Sequence, residues 1–200
     1  MHISFESETL SLEIPREIVL HVTPEQFEAI AMTNRDLRLE RTSLGELIVN
    51  PPTGGESGKR NFSIIGQLAR WYEEHQELGE AFDSSTGFRL PNGANRSPDM
   101  SWVSRNRWEM LTEKQQKGFV PLCPDFVVEL RSESDRLSKL QAKLREYMDN
   151  GAQLGWLIDP QNKQVEIYRS SQDTEILVNP THLSGEDILP EFILDLKQIF

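Results

Sequence analysis

The stretch that most constrains the fold is Cys123 to Ser132, CPDFVVELRS. Pro124 can open a strand, and Phe126, Val127 and Val128 are β-formers, so a strand is predicted here. Its nearly continuous apolar run requires both faces to be covered, which makes it a central strand. Side chains alternate along a strand, so Asp125, Val127, Glu129 and Arg131 share one face. A carboxylate at Glu129 is costly there unless it is paired, protonated or bound to a metal.

The flanking sequence supplies elements of the right kind. Thr23-Pro24-Glu25-Gln26 starts a short helix, with Thr as N-cap and Gln at N3. Residues 1–22 read as a loose arm with a strand near Ile18 to Val22. Asn34 to Val49 reads as a hairpin turning at Ser43-Leu44-Gly45. A long helix is predicted over about Ser57 to Glu77, from the stripe Phe62, Ile65, Leu68, Ala69, Tyr72. Ala81–Asp83 and Gly87–Leu90 read as a strand pair around Ser84-Ser85-Thr86, and Pro98-Asp99 opens a strand through Ser104. After Glu129 a helix runs to about Asn150, with Leu137, Leu140, Leu144, Tyr147 and Met148 as its buried stripe. At about 100° per residue, Lys139 falls about 130° from that stripe's centre and Lys143 about 90°. Lys139 is then solvated, and Lys143 sits at the edge of the packed face with reach into a cleft. Leu154–Pro160 and Val165–Arg169 form a second hairpin, Ile176–Val178 an edge strand, and Leu189–Leu196 a tail packed on the domain.

Two carboxylates on neighbouring central strands, with a lysine on the next helix, point to hard-cation chemistry. Mg²⁺ prefers oxygen ligands and keeps waters, which suits Asp99 and Glu129. A metal there polarises a phosphodiester oxygen and acidifies a water. Lys143 could orient or deprotonate that water, or steady charge on the phosphate. Arg131 lies on Glu129's strand face, but its pKa is too high for a base. Asp125 is a third acidic candidate at the strand's start. The segment Arg105 to Gly118 carries Arg105, Arg107, Trp108, Lys114 and Lys117 and is the most basic and aromatic insertion in the chain.

Composition narrows the classes that remain. Lys and Arg total 21 against 32 Asp and Glu, a formal charge of −11, which disfavours general nucleic-acid coating and anionic membranes. A single cysteine, Cys123, excludes a disulfide framework and a cysteine zinc site, and reads as a small buried hydrophobe. The four histidines lack metal-ligand spacing, and there is no Gly-x-Ser-x-Gly elbow. With no signal-peptide pattern and no run long enough for a membrane span, a cytoplasmic protein is the expectation.

The order Thr53-Gly54-Gly55-Glu56-Ser57, Gly87–Gly93, Ser97-Pro98-Asp99, Pro124–Ser132, Lys143–Tyr147 and Leu154–Pro160 resembles the Uma-type family. Those are endonucleases of the restriction-endonuclease-like PD-(D/E)xK superfamily. The resemblance covers roughly residues 35–200, leaving 1–34 as an N-terminal arm and short helix. It implies an α/β fold with an αβββαβ core, a mixed central sheet flanked by helices. It makes Asp99 the Pro-Asp acid and Glu129 the acid of the (D/E)xK motif. The third position of that motif is Arg131, and the matching lysine is Lys143 on the following helix. Glu56 becomes an auxiliary helix-borne acid. The implied activity is Mg²⁺- or Mn²⁺-dependent hydrolysis of DNA by a homodimer, with Arg105, Arg107, Lys114, Lys117 and Arg131 as nucleic-acid contacts. A non-catalytic nuclease-fold module acting through protein interaction is the alternative, favoured by the −11 charge and by Arg131. A hydrolase of another phosphate ester is the third reading.

Overall fold

A computed structural model describes residues 18–200, so the arm before Ile18 lies outside the described residues. The chain runs α1 (Pro24–Thr33), β1 (Arg38–Arg41), β2 (Leu47–Asn50), α2 (Gly55–Glu74), β3 (Gly79–Asp83), β4 (Phe88–Arg89), β5 (Asn95–Arg96) and β6 (Met100–Ser104). It continues through α3 (Arg105–Glu109), α4 (Glu113–Gln116), β7 (Phe126–Leu130), α5 (Leu137–Asp149) and β8 (Leu154–Asp159). The last strands are β9 (Gln164–Arg169), β10 (Glu175–Val178), β11 (His182–Ser184) and β12 (Ile193–Asp195).

Six strands form the main sheet in the order β10-β9-β8-β7-β6-β3. All its pairings are antiparallel except β7 with β8, which are parallel and joined through α5. A parallel pair needs such a crossover. The succession α2, β3, β6, β7, α5, β8 is the αβββαβ core, a mixed sheet flanked by helices. β7 lies between β6 and β8 with all five residues buried, as a strand covered on both faces must be.

Alternation along β7 divides the core in two. Phe126, Val128 and Leu130 pack with Ile64, Leu68 and Trp71 of α2 and with Leu189, Phe192, Leu194 and Leu196 of the tail. Val127 packs on the other face with Leu144 and Tyr147 of α5. Burying a large apolar side chain contributes about 1.5–3 kcal/mol, so α2 and α5 are clamped to the sheet largely by these stripes. Glu129 has the parity of Val127 and therefore points toward α5. Cys123 is fully buried, and burial pushes its thiol up to about 12, so it is chemically quiet.

A smaller sheet, β2-β1-β5-β4, stands beside the main one. The β1–β2 hairpin turns at Gly45, whose φ of 93° is the left-handed geometry that favours glycine. Where the sequence suggests a strand near Ile18 to Val22, only an isolated bridge forms, His21 with Glu46, flanked by hydrogen bonds from Leu47 N–H to Leu20 O and from Val22 N–H to Gly45 O. The capping box of Thr23 and Gln26 forms as expected, and Phe27 of α1 is buried against Phe119. The predicted pairing of Ala81–Asp83 with Gly87–Leu90 is not made. β3 pairs with β6 in the main sheet, whereas β4 pairs with β5 across the Pro91-Asn92-Gly93 turn. The tight turn supplies a nearer partner for β4, and β6 offers β3 a longer ladder. The long helix begins at Gly55 and ends at Glu74, with a short 3₁₀ turn at Gln76–Leu78 after it. Among the described residues, no helix is long and apolar enough to cross a membrane.

Candidate active site

Asp99 and Glu129 are brought together by strand register. Met100 pairs with Val128 in the antiparallel β6–β7 ladder, and one further step sets Asp99 across from Glu129. The Asp99 backbone N–H donates to Val128 O at 3.0 Å, which anchors that step. Asp99 Oδ2 accepts the Leu130 N–H at 2.9 Å. Its side chain is 16% exposed and opens into a cleft of about 890 Å³.

Lys143 enters from α5 where its helical angle predicts. Its Nζ lies 2.8 Å from Glu129 Oε1 and 2.8 Å from Glu40 Oε1, and it donates to Ser97 O at 3.3 Å. Tyr147, one turn further on the same helix face, donates to Glu129 Oε1 at 3.2 Å, and its ring lies 5.9 Å from Lys143 Nζ. Asp99, Glu129 and Lys143 line one cleft, and Glu56 stands at its mouth on the first turn of α2, with a side chain 72% exposed.

Glu40 has no part in the sequence-based assignment. It sits in β1, buried, and accepts from Arg96 at 3.1 Å and from the Ser97 N–H at 3.2 Å as well as from Lys143. Arg96 in turn donates to Glu146 at 2.6 Å. A buried file of alternating charge results, Glu129–Lys143–Glu40–Arg96–Glu146, which ties the small sheet to α5 and the main sheet. The one local hint in the sequence is that Arg38 and Glu40, two apart in β1, share a strand face.

The other basic candidates are held elsewhere. Arg105 donates to Glu80 Oε1 at 2.6 Å and to Gly79 O at 3.1 Å. Arg107 pairs with Asp125 at 2.7 Å, and Arg131 pairs with Asp159 at 2.7 Å. Lys114 and Lys117 are exposed on α4 and just after it, and none of these five lines the cleft. The reason is topological: α3 and α4 follow the C-terminal end of β6, whereas Asp99 precedes its N-terminal end. Asp125 is likewise at the far end of β7 from Glu129. It accepts from the Ser104 N–H at 2.8 Å and Gln153 at 2.7 Å, and these contacts with Arg107 account for its burial as structural.

The electrostatics of the cleft follow from burial and unequal numbers of charges. Burial pushes the Glu129 carboxyl up to about 8, with Asp99 and Glu40 adding to the rise and Lys143 opposing it. Asp99 is also raised, by burial first, against the Leu130 N–H and the Lys143 and Arg38 charges. Burial acts the same way on Glu40, but Lys143 and Arg96 outweigh it and hold this carboxyl below its ordinary value. For Lys143, Glu129 and Glu40 overcome the burial penalty and raise its pKa, so it is a fixed cation.

These shifts make stability depend on pH in a set direction. A carboxyl raised from 4.5 to about 8 contributes stability below its unfolded value, which is lost as pH climbs through the folded one. Glu129→Gln lacks that titration. Its melting temperature is therefore expected to gain on that of the parent between pH 5 and pH 9 in metal-free buffer. A differential of about 2 kcal/mol corresponds to roughly 4–8 °C in a chain of this size. A gap that stays constant over this range rules out a protonated Glu129.

The residues present fit a divalent cation of the magnesium type. Glu40, Asp99, Glu129 and Glu146 face Lys143, Arg96 and, at 3.7 Å from Asp99, Arg38 as close cations, so the carboxylates are in excess by one. Among the described residues, no group of three or more His, Cys, Asp or Glu is disposed to hold a metal. Two carboxylates, with water and phosphate oxygens completing the shell, are the set that Mg²⁺ commonly takes.

Comparison with known proteins agrees with this architecture. The structure is similar to that of "a putative nuclease belonging to DUF820 from Anabaena variabilis ATCC 29413", with a TM-score of 0.74 and 22% identity. The match covers 90% of this chain and 97% of that one and speaks to the fold. No curated protein matches the sequence. The Uma2 profile, described as "Putative restriction endonuclease", matches residues 24–197. The chain therefore belongs to the Uma2 family.

Proposed function

We propose that the protein is a divalent-metal-dependent DNA endonuclease that hydrolyses phosphodiester bonds in the cleft between β1, α2 and α5. One observation carries this reading: Asp99 and Glu129 face each other on adjacent strands, with Lys143 Nζ 2.8 Å from Glu129. Asp99 and Glu129 would hold Mg²⁺ or Mn²⁺, which when bound polarises the phosphate oxygen and lowers the pKa of a water. Lys143, held as a cation, stabilises charge on the phosphate and orients the attacking water, and does not act as the base. Glu56 serves as an auxiliary acid at the rim. Arg96 and Glu40 hold Lys143 in place and touch no reacting atom.

The cleft is lined by eight acidic residues and five basic ones, so a phosphodiester enters it at a disadvantage until a cation is present. DNA affinity should therefore depend on the metal. The test is nicking of supercoiled plasmid by the purified chain with Mg²⁺ or Mn²⁺, with chelator as control, beside calorimetric titration of the metal. Nicking that requires the metal is expected. No nicking with either ion, together with no heat of metal binding, would leave the non-catalytic module as the better account.

A further inference from the structure

Apart from Lys143, the basic residues that line the cleft are not the ones the sequence singles out for nucleic-acid contact. Arg38, at the start of β1, lines the cleft beside Asp99. It also lines a second cavity of about 490 Å³, bounded by Arg35, Ser84, Ser85 and Phe119 among others. Arg38 is thus the shared wall of two cavities. Its guanidinium is only loosely engaged: Nη2 lies 3.7 Å from Asp99 Oδ1, and the buried Nε has no hydrogen-bond partner among the described residues. By contrast, Arg96, Arg105, Arg107 and Arg131 each close an ion pair of 2.6–2.7 Å. A buried donor without a partner is rare, and an acceptor arriving with a ligand would satisfy it.

Other features of the lining favour an anion of the same kind. Arg60 anchors its Nε on Ile199 O at 2.9 Å and is only 3.9 Å from Glu56 through Nη2. Lys139 lines the cleft from α5. The 20-residue α2 is preceded by Gly54 as N-cap, with no side-chain cap, and Thr53 to Ser57 line the cleft. Free N–H groups at such a helix start attract phosphate.

We propose that Arg38 is the phosphate clamp for the substrate strand. Its fork takes the backbone phosphate next to the scissile one, Arg60 and Lys139 serve the same cleft, and the strand passes over Arg38 into the second cavity. The 105–117 segment is then not the DNA track. A guanidinium fork matches two phosphate oxygens at once, which a lysine cannot reproduce. Binding also draws Arg38 off Asp99, leaving that carboxylate to the metal. This inference rests on the nuclease reading above.

The test measures binding of a fluorescein-labelled DNA duplex by anisotropy, with Ca²⁺ in place of Mg²⁺, over a series of salt concentrations. Arg38→Gln is expected to weaken binding about tenfold to a hundredfold and to reduce the salt slope by about one. Arg38→Lys, which keeps the charge and guards against misfolding, should keep the slope and still lose affinity. The Lys114→Gln/Lys117→Gln double variant should bind within about twofold of the parent. Parent-like binding by both Arg38 variants overturns the proposal, as does a larger loss in the double variant. Metal-dependent nicking by the parent separates the two failures. If it is present while Arg38→Gln binds normally, only the clamp is wrong; if it is absent, the nuclease reading falls first.

Discussion

Asp99→Asn is expected to lower metal-dependent nicking on the order of 10³-fold and to leave the chain at least as stable as the parent, because the two effects come from different atoms. Asparagine retains an oxygen to accept the Leu130 N–H, now made at 2.9 Å, so the β6–β7 register is preserved. What it loses is the negative charge facing Glu129. Lewis-acid stabilisation of a transition state is worth several kcal/mol, and each 1.36 kcal/mol is tenfold in rate. In the metal-free protein the same charge adds to the rise of the Glu129 pKa, so its removal relieves the fold. Nicking rates and melting temperatures, taken on one preparation, check both halves. An Asn variant that nicks at the parent's rate removes Asp99 from the site. One that loses activity only because it melts far earlier makes the carboxylate a structural group.

The largest loss of stability is expected from Lys143→Met. Lys143 stands between Glu40 and Glu129 at 2.8 Å from each, and taking one partner from a buried ionic network costs about 3–5 kcal/mol. That is roughly 6–20 °C in melting temperature. The pH dependence has a definite sign. In the parent, Glu40 is held below its ordinary value, so its contribution is present above the unfolded pKa and lost as pH falls. Without the ammonium, burial gains over both carboxyls and their folded pKa values climb, so stability is lost as pH rises. The penalty should thus be larger at pH 8 than at pH 5, when measured as the shift in denaturant midpoint. Adding Glu40→Gln to Lys143→Met should recover part of it at pH 8. A penalty below about 1 kcal/mol, or one equal at the two pH values, would show that the file of charges is not coupled as its geometry implies.

The main sheet was largely legible in the chain because its signals are local. Phe126–Leu130 and Leu154–Asp159 are apolar runs, the α2 and α5 stripes have helical spacing, and Pro98-Asp99 marks a strand entrance. Even the edge placement of Lys143 followed from helix geometry alone. Glu40 was not legible, because its partners Arg96, Ser97 and Lys143 are brought to it only by the docking of the small sheet. The place of the basic 105–117 segment, away from the cleft, was hidden for the same reason. Its arginines look unpaired along the chain, yet Glu80 and Asp125 meet them in space. Glu56 shows an intermediate case: the helix start was legible, while its 72% exposed position at the rim was not.

The file Glu129–Lys143–Glu40–Arg96–Glu146 also limits how a lineage carrying this fold can drift. Each inner member neutralises two neighbours, so a change of sign at any one strands a buried charge. Escape requires near-simultaneous replacements, or a first step through a neutral isostere such as glutamine at 40. Positions 40, 96, 143 and 146, scattered over three separate elements, are therefore expected to change together or not at all.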